Sequence, residues 1–211
     1  MLKFIQEGGP FMWLLLFASV ISLAFIIERG VALRRKLVVP DGLLDALDRF
    51  RGRDDVTPLD RACLEFKSPL GRLLQTGLQN LDRTRADNAE VIQTRARREV
   101  SRLERGLVIL EVIVGAAPLL GLVGTLHGLI TLFGDLGAAG LGDNTVLAKG
   151  IAIALNTTLA GLLVAIPTLV AWSWFTKRVE TLAIDLESAC SELLERAYPA
   201  AAGDTVVFSS R

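Results

Sequence analysis

Asn156, Thr157 and Thr158 stand side by side in the first third of Gly150 to Phe175, an apolar run without a single charge. Hydrogen-bonding side chains find no water partner in hydrocarbon, so residues of this type in such a run either face a helix-lined pore or satisfy themselves against a carbonyl four residues back. A hydroxyl both donates and accepts, and a threonine can therefore contact a carboxylate in either protonation state. It cannot hold a proton near neutral pH; relay needs a group that cycles between charged and neutral forms. Two titratable residues lie in a second apolar run, Leu107 to Phe133: Glu111 near one end, and His127, the only histidine. Glu111 is costly in hydrocarbon and reads either as a residue of the inner interface or as part of a pore mouth. His127 is two residues from Thr125, about 200° round a helix, and reads as an interhelical or interfacial histidine rather than a relay despite its useful pKa. Nothing in the chain has the pattern of an enzyme nucleophile, a phosphate loop or a metal-ligand set, so no catalysis, cofactor or metal is expected.

These residues have to be positioned by helices. Phe11 to Ile27, Leu107 to Phe133 and Gly150 to Phe175 are each long and apolar enough to cross a bilayer, giving an all-α membrane protein with three spans and one charged insert. The 23 basic and 23 acidic residues cancel, but they are segregated along the chain. Arg29, Arg34, Arg35 and Lys36 follow the first span, Arg97, Arg98, Arg102 and Arg105 precede the second, and Lys177 and Arg178 follow the third, while the other side offers only Lys3 and Lys149. The positive-inside bias places the amino terminus outside, and the insert and carboxyl tail inside. The first run reads as a retained anchor rather than a cleaved signal, because an Arg-rich flank follows it and no small-x-small site ends it. Cys63 and Cys190 then lie where thiols stay reduced, as inert residues.

The expected segments are 1–10 outside, 11–33 first span, 34–105 insert and stalk, 106–134 second span, 135–149 periplasmic loop, 150–176 third span, 177–198 cytoplasmic helix, and 199–211 a disordered tail. Within the insert, Asp41 can cap a helix through Leu43, Leu44, Leu47 and Phe50, and breaks at Gly52, Pro58 and Ser68-Pro69-Leu70-Gly71 suggest short amphipathic helices rather than one domain core. Val91, Ile92, Ala96, Val100 and Leu103 keep helical spacing, read as running unbroken into the second span. Val179, Leu182, Leu186, Leu193 and Leu194 extend the third span likewise, so the two form a long hairpin. Acidic residues break up every basic cluster on this stalk and no aromatics interleave, so nucleic-acid binding is not expected.

The segment Ala117-Pro118-Leu119-Leu120-Gly121-Leu122-Val123-Gly124-Thr125-Leu126-His127-Gly128 resembles the second-span signature of the MotA/TolQ/ExbB proton-channel family. Gly150-Ile151 through Thr158 to Gly161-Leu162 and Ala165-Ile166-Pro167 resembles its third-span signature, and Phe4 to Pro10 and Ile27-Glu28-Arg29 are similar to ExbB-type members. Three spans fit the ExbB/TolQ branch rather than the four-span flagellar MotA branch. The resemblance implies a homopentamer in the bacterial inner membrane whose second and third spans line a pore. That pore would enclose an ExbD/TolR-like single-span partner with an intramembrane Asp, coupled onward to a TonB-like or TolA-like protein.

On this resemblance Thr125 and Thr158 fall on two pore-facing threonines, with Asn156 and Glu111 as further candidates for the pathway. Thr157 reads as self-satisfied, and Asn156 as either pore-lining or bonded to a neighbouring helix. Gly121, Gly124, Gly128 and Gly161 would let helices approach closely, and Pro118 and Pro167 would set bends. The chain departs from the family at Ile153, where many ExbB and TolQ members carry Glu. The titrating group at mid-membrane is therefore expected from the partner, and a non-conducting membrane scaffold is the alternative that this departure keeps open.

Overall fold

A computed structural model describes residues 9–139 and 144–199, all helix and connections with no strand among them. In chain order the helices are α1 (Gly9–Ala32), α2 (Arg35–Val38), α3 (Asp41–Arg49), a 3-10 turn (Arg53–Asp55), α4 (Val56–Glu65), α5 (Pro69–Gln79), α6 (Arg85–Glu104), α7 (Leu107–Ala139) and α8 (Asn144–Ala197). Three of them, α1, α7 and α8, are long and apolar enough to cross a membrane. At 1.5 Å per residue the 54 residues of α8 span about 80 Å, far more than the roughly 30 Å of bilayer hydrocarbon.

The chain divides into two compact units. The first takes residues 9–31 and 105–176 and is built inside out relative to a water-soluble domain. Its outer faces carry Phe17, Val20, Ile130, Leu163 and Val170, each more than 60% exposed, while Ser22, Ala117, Thr125, Ala154, Thr157 and Thr168 are buried. Large apolar side chains face out because lipid solvates them, and small or hydroxylated ones face in because helix contact in lipid relies on close packing and internal hydrogen bonds. Leu15, Ile113, Ala117 and Ala165 form the centre of this unit, flanked by Ala18, Ile21, Leu120, Ala160 and Val164.

The second unit takes residues 32–104 and 177–199. The insert does fold into short helices, as expected, but the expectation that they have no domain core needs correction, because they bury leucines together with the end of α8 in one unit. Leu43, Leu47, Leu59, Leu70, Leu73, Leu74, Leu182, Leu186 and Leu193 are all essentially inaccessible. Leucines on α3, α4 and α5 bury one face each, and the carboxyl-terminal part of α8 packs Leu193 on Gly77 of α5 and reaches Asp48 of α3 through Arg196. Pro58 and Pro69 prove to be helix starters. Each sits in a first turn, where a missing N–H costs nothing, and Ser68 Oγ caps α5 by accepting from Gly71 N at 3.1 Å. Asp41 lies in the first turn of α3 and makes no cap; its carboxylate meets Arg35 at 3.2 Å instead.

Glu99 of α6 is 1% exposed, held by Arg72 at 2.5 Å, Arg102 at 3.0 Å and Arg95 at 3.6 Å. Burial pushes its carboxyl up, but the three guanidinium groups together outweigh burial and hold it below the usual value. At the end of α8, Tyr198 Oη accepts from Asn88 Nδ2 at 3.0 Å and lies within 3.1 Å of Arg83 O, while Arg53 stacks 4.3 Å from the ring centroid. Cys63 and Cys190 are free and buried, and burial, helped by Asp60 and Glu187 respectively, pushes both thiols up to about 12.

Two connections differ from the sequence expectation. The stalk does not run unbroken into the second span: α6 ends at Glu104 and α7 starts at Leu107, around Gly106 at φ +93°. A side chain there would be strained and would come within 3.1 Å of the Arg29 guanidinium. Helix also extends into the expected 135–149 loop from both sides, with α7 reaching Ala139 and α8 starting at Asn144. The expected outside segment and tail, apart from Gly9, Pro10 and Pro199, lie outside the described residues.

Candidate functional site

Along α7, Ala117, Gly121, Gly124 and Gly128 recur every three or four residues and so share one face. That face meets Ala154, Thr157, Thr158 and Gly161 of α8. A Cβ built on Gly121 would lie 3.0 Å from Thr157 O and from Thr158 Cα, and one on Gly161 would lie 2.6 Å from Ala117 O. A Cβ on Gly128 would be 3.3 Å from Ala154 Cβ, and Gly124 packs directly on the Thr157 methyl. At Gly121 and Gly161 the seam is backbone against backbone, a distance only hydrogen side chains allow.

This proximity brings Thr125 and Thr158 together. Thr125 Oγ1 lies 2.9 Å from Ala154 O and 3.2 Å from Gly121 O, Thr158 Oγ1 lies 3.2 Å from the same Gly121 O, and the two hydroxyls hydrogen-bond each other. Thr125 is 8% exposed and Thr158 is half-buried. Four contacts share two protons, so the pair can exchange donors without leaving its place. Thr125 reaches the carbonyl four residues back, as a self-satisfied threonine does, and both hydroxyls also bond across the helix pair. Thr157, buried, bonds only Ile153 O at 3.4 Å.

The remaining candidates are dispersed. Asn156 is half-buried and has no hydrogen-bond partner among the described residues; Glu111 is exposed. Pro118 lies inside α7 and Pro167 inside α8, each removing one helical N–H. His127 is exposed and packs edge-on against Phe11, ring centroids 5.6 Å apart. A contact absent from the sequence reading ties α1 to this assembly: Ser22 Oγ and Thr168 Oγ1 are 2.6 Å apart, both buried. Its only trace in the sequence is the presence of hydroxyl residues in both apolar stretches, Ser19 and Ser22 in the first and Thr168 among those of the third, which interhelical bonding would favour.

The described residues of this site include no acid at the level of the threonine pair and no cluster of metal-ligating side chains.

The MotA/TolQ/ExbB proton channel family matches the chain over residues 65–188. An ExbB-like biopolymer transport protein of Synechocystis sp. is 33% identical over 196 residues, covering 91% of this chain and 76% of the relative. The Tol-Pal system protein TolQ of Pseudomonas aeruginosa is 31% identical over 180 residues, 78% of this chain and 76% of its own length. The biopolymer transport protein ExbB of Helicobacter pylori is 40% identical over 80 residues, 38% of this chain and 55% of that protein. The three apolar helices, the glycine seam and these matches agree, and this multi-pass membrane protein belongs to the MotA/TolQ/ExbB proton channel family.

Proposed function

We propose that this chain is the pore subunit of an inner-membrane motor driven by the proton-motive force. It acts with an ExbD/TolR-like single-span partner whose intramembrane Asp docks at Thr125 and Thr158, and passes work to a TonB-like or TolA-like protein. The observation that carries this reading is the hydroxyl pair, held in an apolar unit on a seam of glycines. Two hydroxyls that can each switch between donating and accepting suit an acid that is alternately charged and neutral. Several copies, five by analogy with the family, enclose the partner with α7 and α8 toward the pore. The arginine bias around the spans supports an amino terminus outside, with the charged second unit and the carboxyl terminus inside.

With Ile153 on α8 and Glu111 the only acid within the spanning parts of α7 and α8, the chain by itself is proton-tight. In vesicles under a pH gradient, current appears only when the partner is co-reconstituted, and Thr158→Val abolishes it while membrane insertion persists. A vigorous current through the protein alone that survives Glu111→Gln overturns the reading. The lack of an acid beside the threonines also favours a second reading, a non-conducting scaffold. A complex that copurifies with its partner yet carries no current would establish that one. Native mass spectrometry giving only monomers or dimers would exclude the ring.

A further inference from the structure

From Val112 to Gly134 on α7 and from Gly150 to Ala171 on α8, the side chains of Thr125, Thr131, Thr157, Thr158 and Thr168 all have hydrogen-bond partners within the chain. Two polar side chains of these stretches have none among the described residues, the Asn156 amide and the His127 imidazole. Hydrocarbon offers an amide no water to turn to, and leaving it unpaired costs free energy.

Asn156 is two residues from Ala154 and two from Thr158, about 200° round α8 from each of these seam residues, so it turns away from α7. It shares its face with Leu159 and Leu163, which are 52% and 64% exposed. His127 stands on α7 beside Val123 and Ile130, which are 45% and 72% exposed. Its ring packs edge-on against Phe11 and borders a cavity of about 310 Å³, lined also by Ile153 and Ala154, that leaves it room to turn. Each unpaired group therefore lies on an exposed apolar stripe. The two stripes belong to helices already joined through their seam, so they do not close on each other within one copy.

The two groups do share a level. Gly124 packs on the Thr157 methyl and Gly128 on Ala154; His127 lies between those glycines as Asn156 lies between their contacts. In a ring about an axis normal to the membrane, rotation carries every residue to the same depth in the next copy, and neighbours meet through two different faces. A residue can then meet only residues of its own level. The chemistry matches as well, since an amide offers donors and an acceptor and an imidazole nitrogen can donate or accept.

We infer that Asn156 of one copy hydrogen-bonds His127 of the next, so that the α8 stripe of each copy packs on the α7 stripe of its neighbour. Lipid on these faces would leave both groups unpaired, whereas a second copy supplies the missing partner at every interface of the ring. The inference rests on the ring of the reading above and adds the faces that build it. It also takes Asn156 out of the pore, to the side of α8 away from the seam.

The test co-expresses two forms of the full chain, one with Asn156→Cys and one with His127→Cys, both carrying Cys63→Ala and Cys190→Ala, and treats the membranes with a short bismaleimide. The mixture should give a cross-linked dimer and neither form alone should, because rotation does not bring a residue onto its own copy away from the axis. Native mass spectrometry of the unmodified protein counts the copies independently. A ring of three or more copies with no mixed cross-link, or with a cross-link from Asn156→Cys alone, overturns the inference and leaves the ring standing; monomers or dimers only overturn both. Asn156→Leu and His127→Leu supply a second measure. Each should weaken association about threefold per interface, the size of an interhelical hydrogen bond in a membrane. The double variant should be no weaker than either single one, since both remove the same bond, and losses that multiply in the double variant overturn the pairing.

Discussion

The hydroxyls of Thr125 and Thr158 face each other across the seam of α7 and α8, and each reaches a main-chain carbonyl of the opposite helix, Ala154 O at 2.9 Å and Gly121 O at 3.2 Å. The pair needs hydroxyls and little else. Thr125→Ser and Thr158→Ser should keep partner-dependent flux within about threefold of wild type, since each retains its donor and acceptor. Thr125→Val should lower flux at least about tenfold, equivalent to about 1.4 kcal/mol, and stability by only about 1 kcal/mol. Flux and thermal unfolding measured on the same preparations check both numbers.

Glycines in the seam should be intolerant, and a glycine of α7 outside it should not. Gly161→Ala sets a methyl 2.6 Å from the Ala117 carbonyl, and backbone cannot give way as a side chain tip can. It should destabilise the detergent-solubilised protein by about 1–3 kcal/mol. Gly115→Ala meets nothing within 4 Å and should be neutral or slightly stabilising, as alanine is in a helix interior. Thermal unfolding of the two variants side by side gives the comparison.

Glu99 links stability to pH. Its carboxyl is held below its ordinary value in the folded protein, so the stabilisation it brings is complete above the ordinary carboxylate pKa and disappears as pH falls through the lower folded value. Glu99→Gln leaves Arg72, Arg95 and Arg102 facing a neutral amide and should cost about 1–3 kcal/mol at pH 7. The gap between wild type and variant should close on acidification below about pH 4. Denaturation monitored at pH 7, 5 and 3.5 would reveal it, and a gap constant across that range would contradict the assignment.

Cys63 and Cys190 should be silent in the folded protein. With both thiols pushed up to about 12, the reactive thiolate is a minute fraction at pH 8. A maleimide reagent should label neither until denaturant is added, and then both, as mass spectrometry of the intact chain would record.

Much of this protein was legible in the order of its residues. Uncharged runs of spanning length mark α1, α7 and α8, because a bilayer demands length and apolarity and little more. The small residues at 117, 121, 124 and 128 declare a close-packing face through their spacing alone. Gly106 was also there to be read as the break between α6 and α7, but the helical period of the flanking residues hid it, since one glycine does not interrupt a pattern that resumes on both sides.

Other features were decided only in three dimensions. Periodicity says which side chains share a face of one helix, not which face of another helix they meet or at what depth. Thr125 meets Thr158, and Ser22 meets Thr168 from far earlier in the chain, because the three helices settle in a register set by how closely their backbones can approach. Ile153 and His127 line one cavity for the same reason. Glu99 reads as one more charge on a solvated stalk, and becomes a buried carboxylate because Arg72, on a different helix, closes over it. An amphipathic pattern fixes the apolar face but carries no mark of which charge the packing will desolvate.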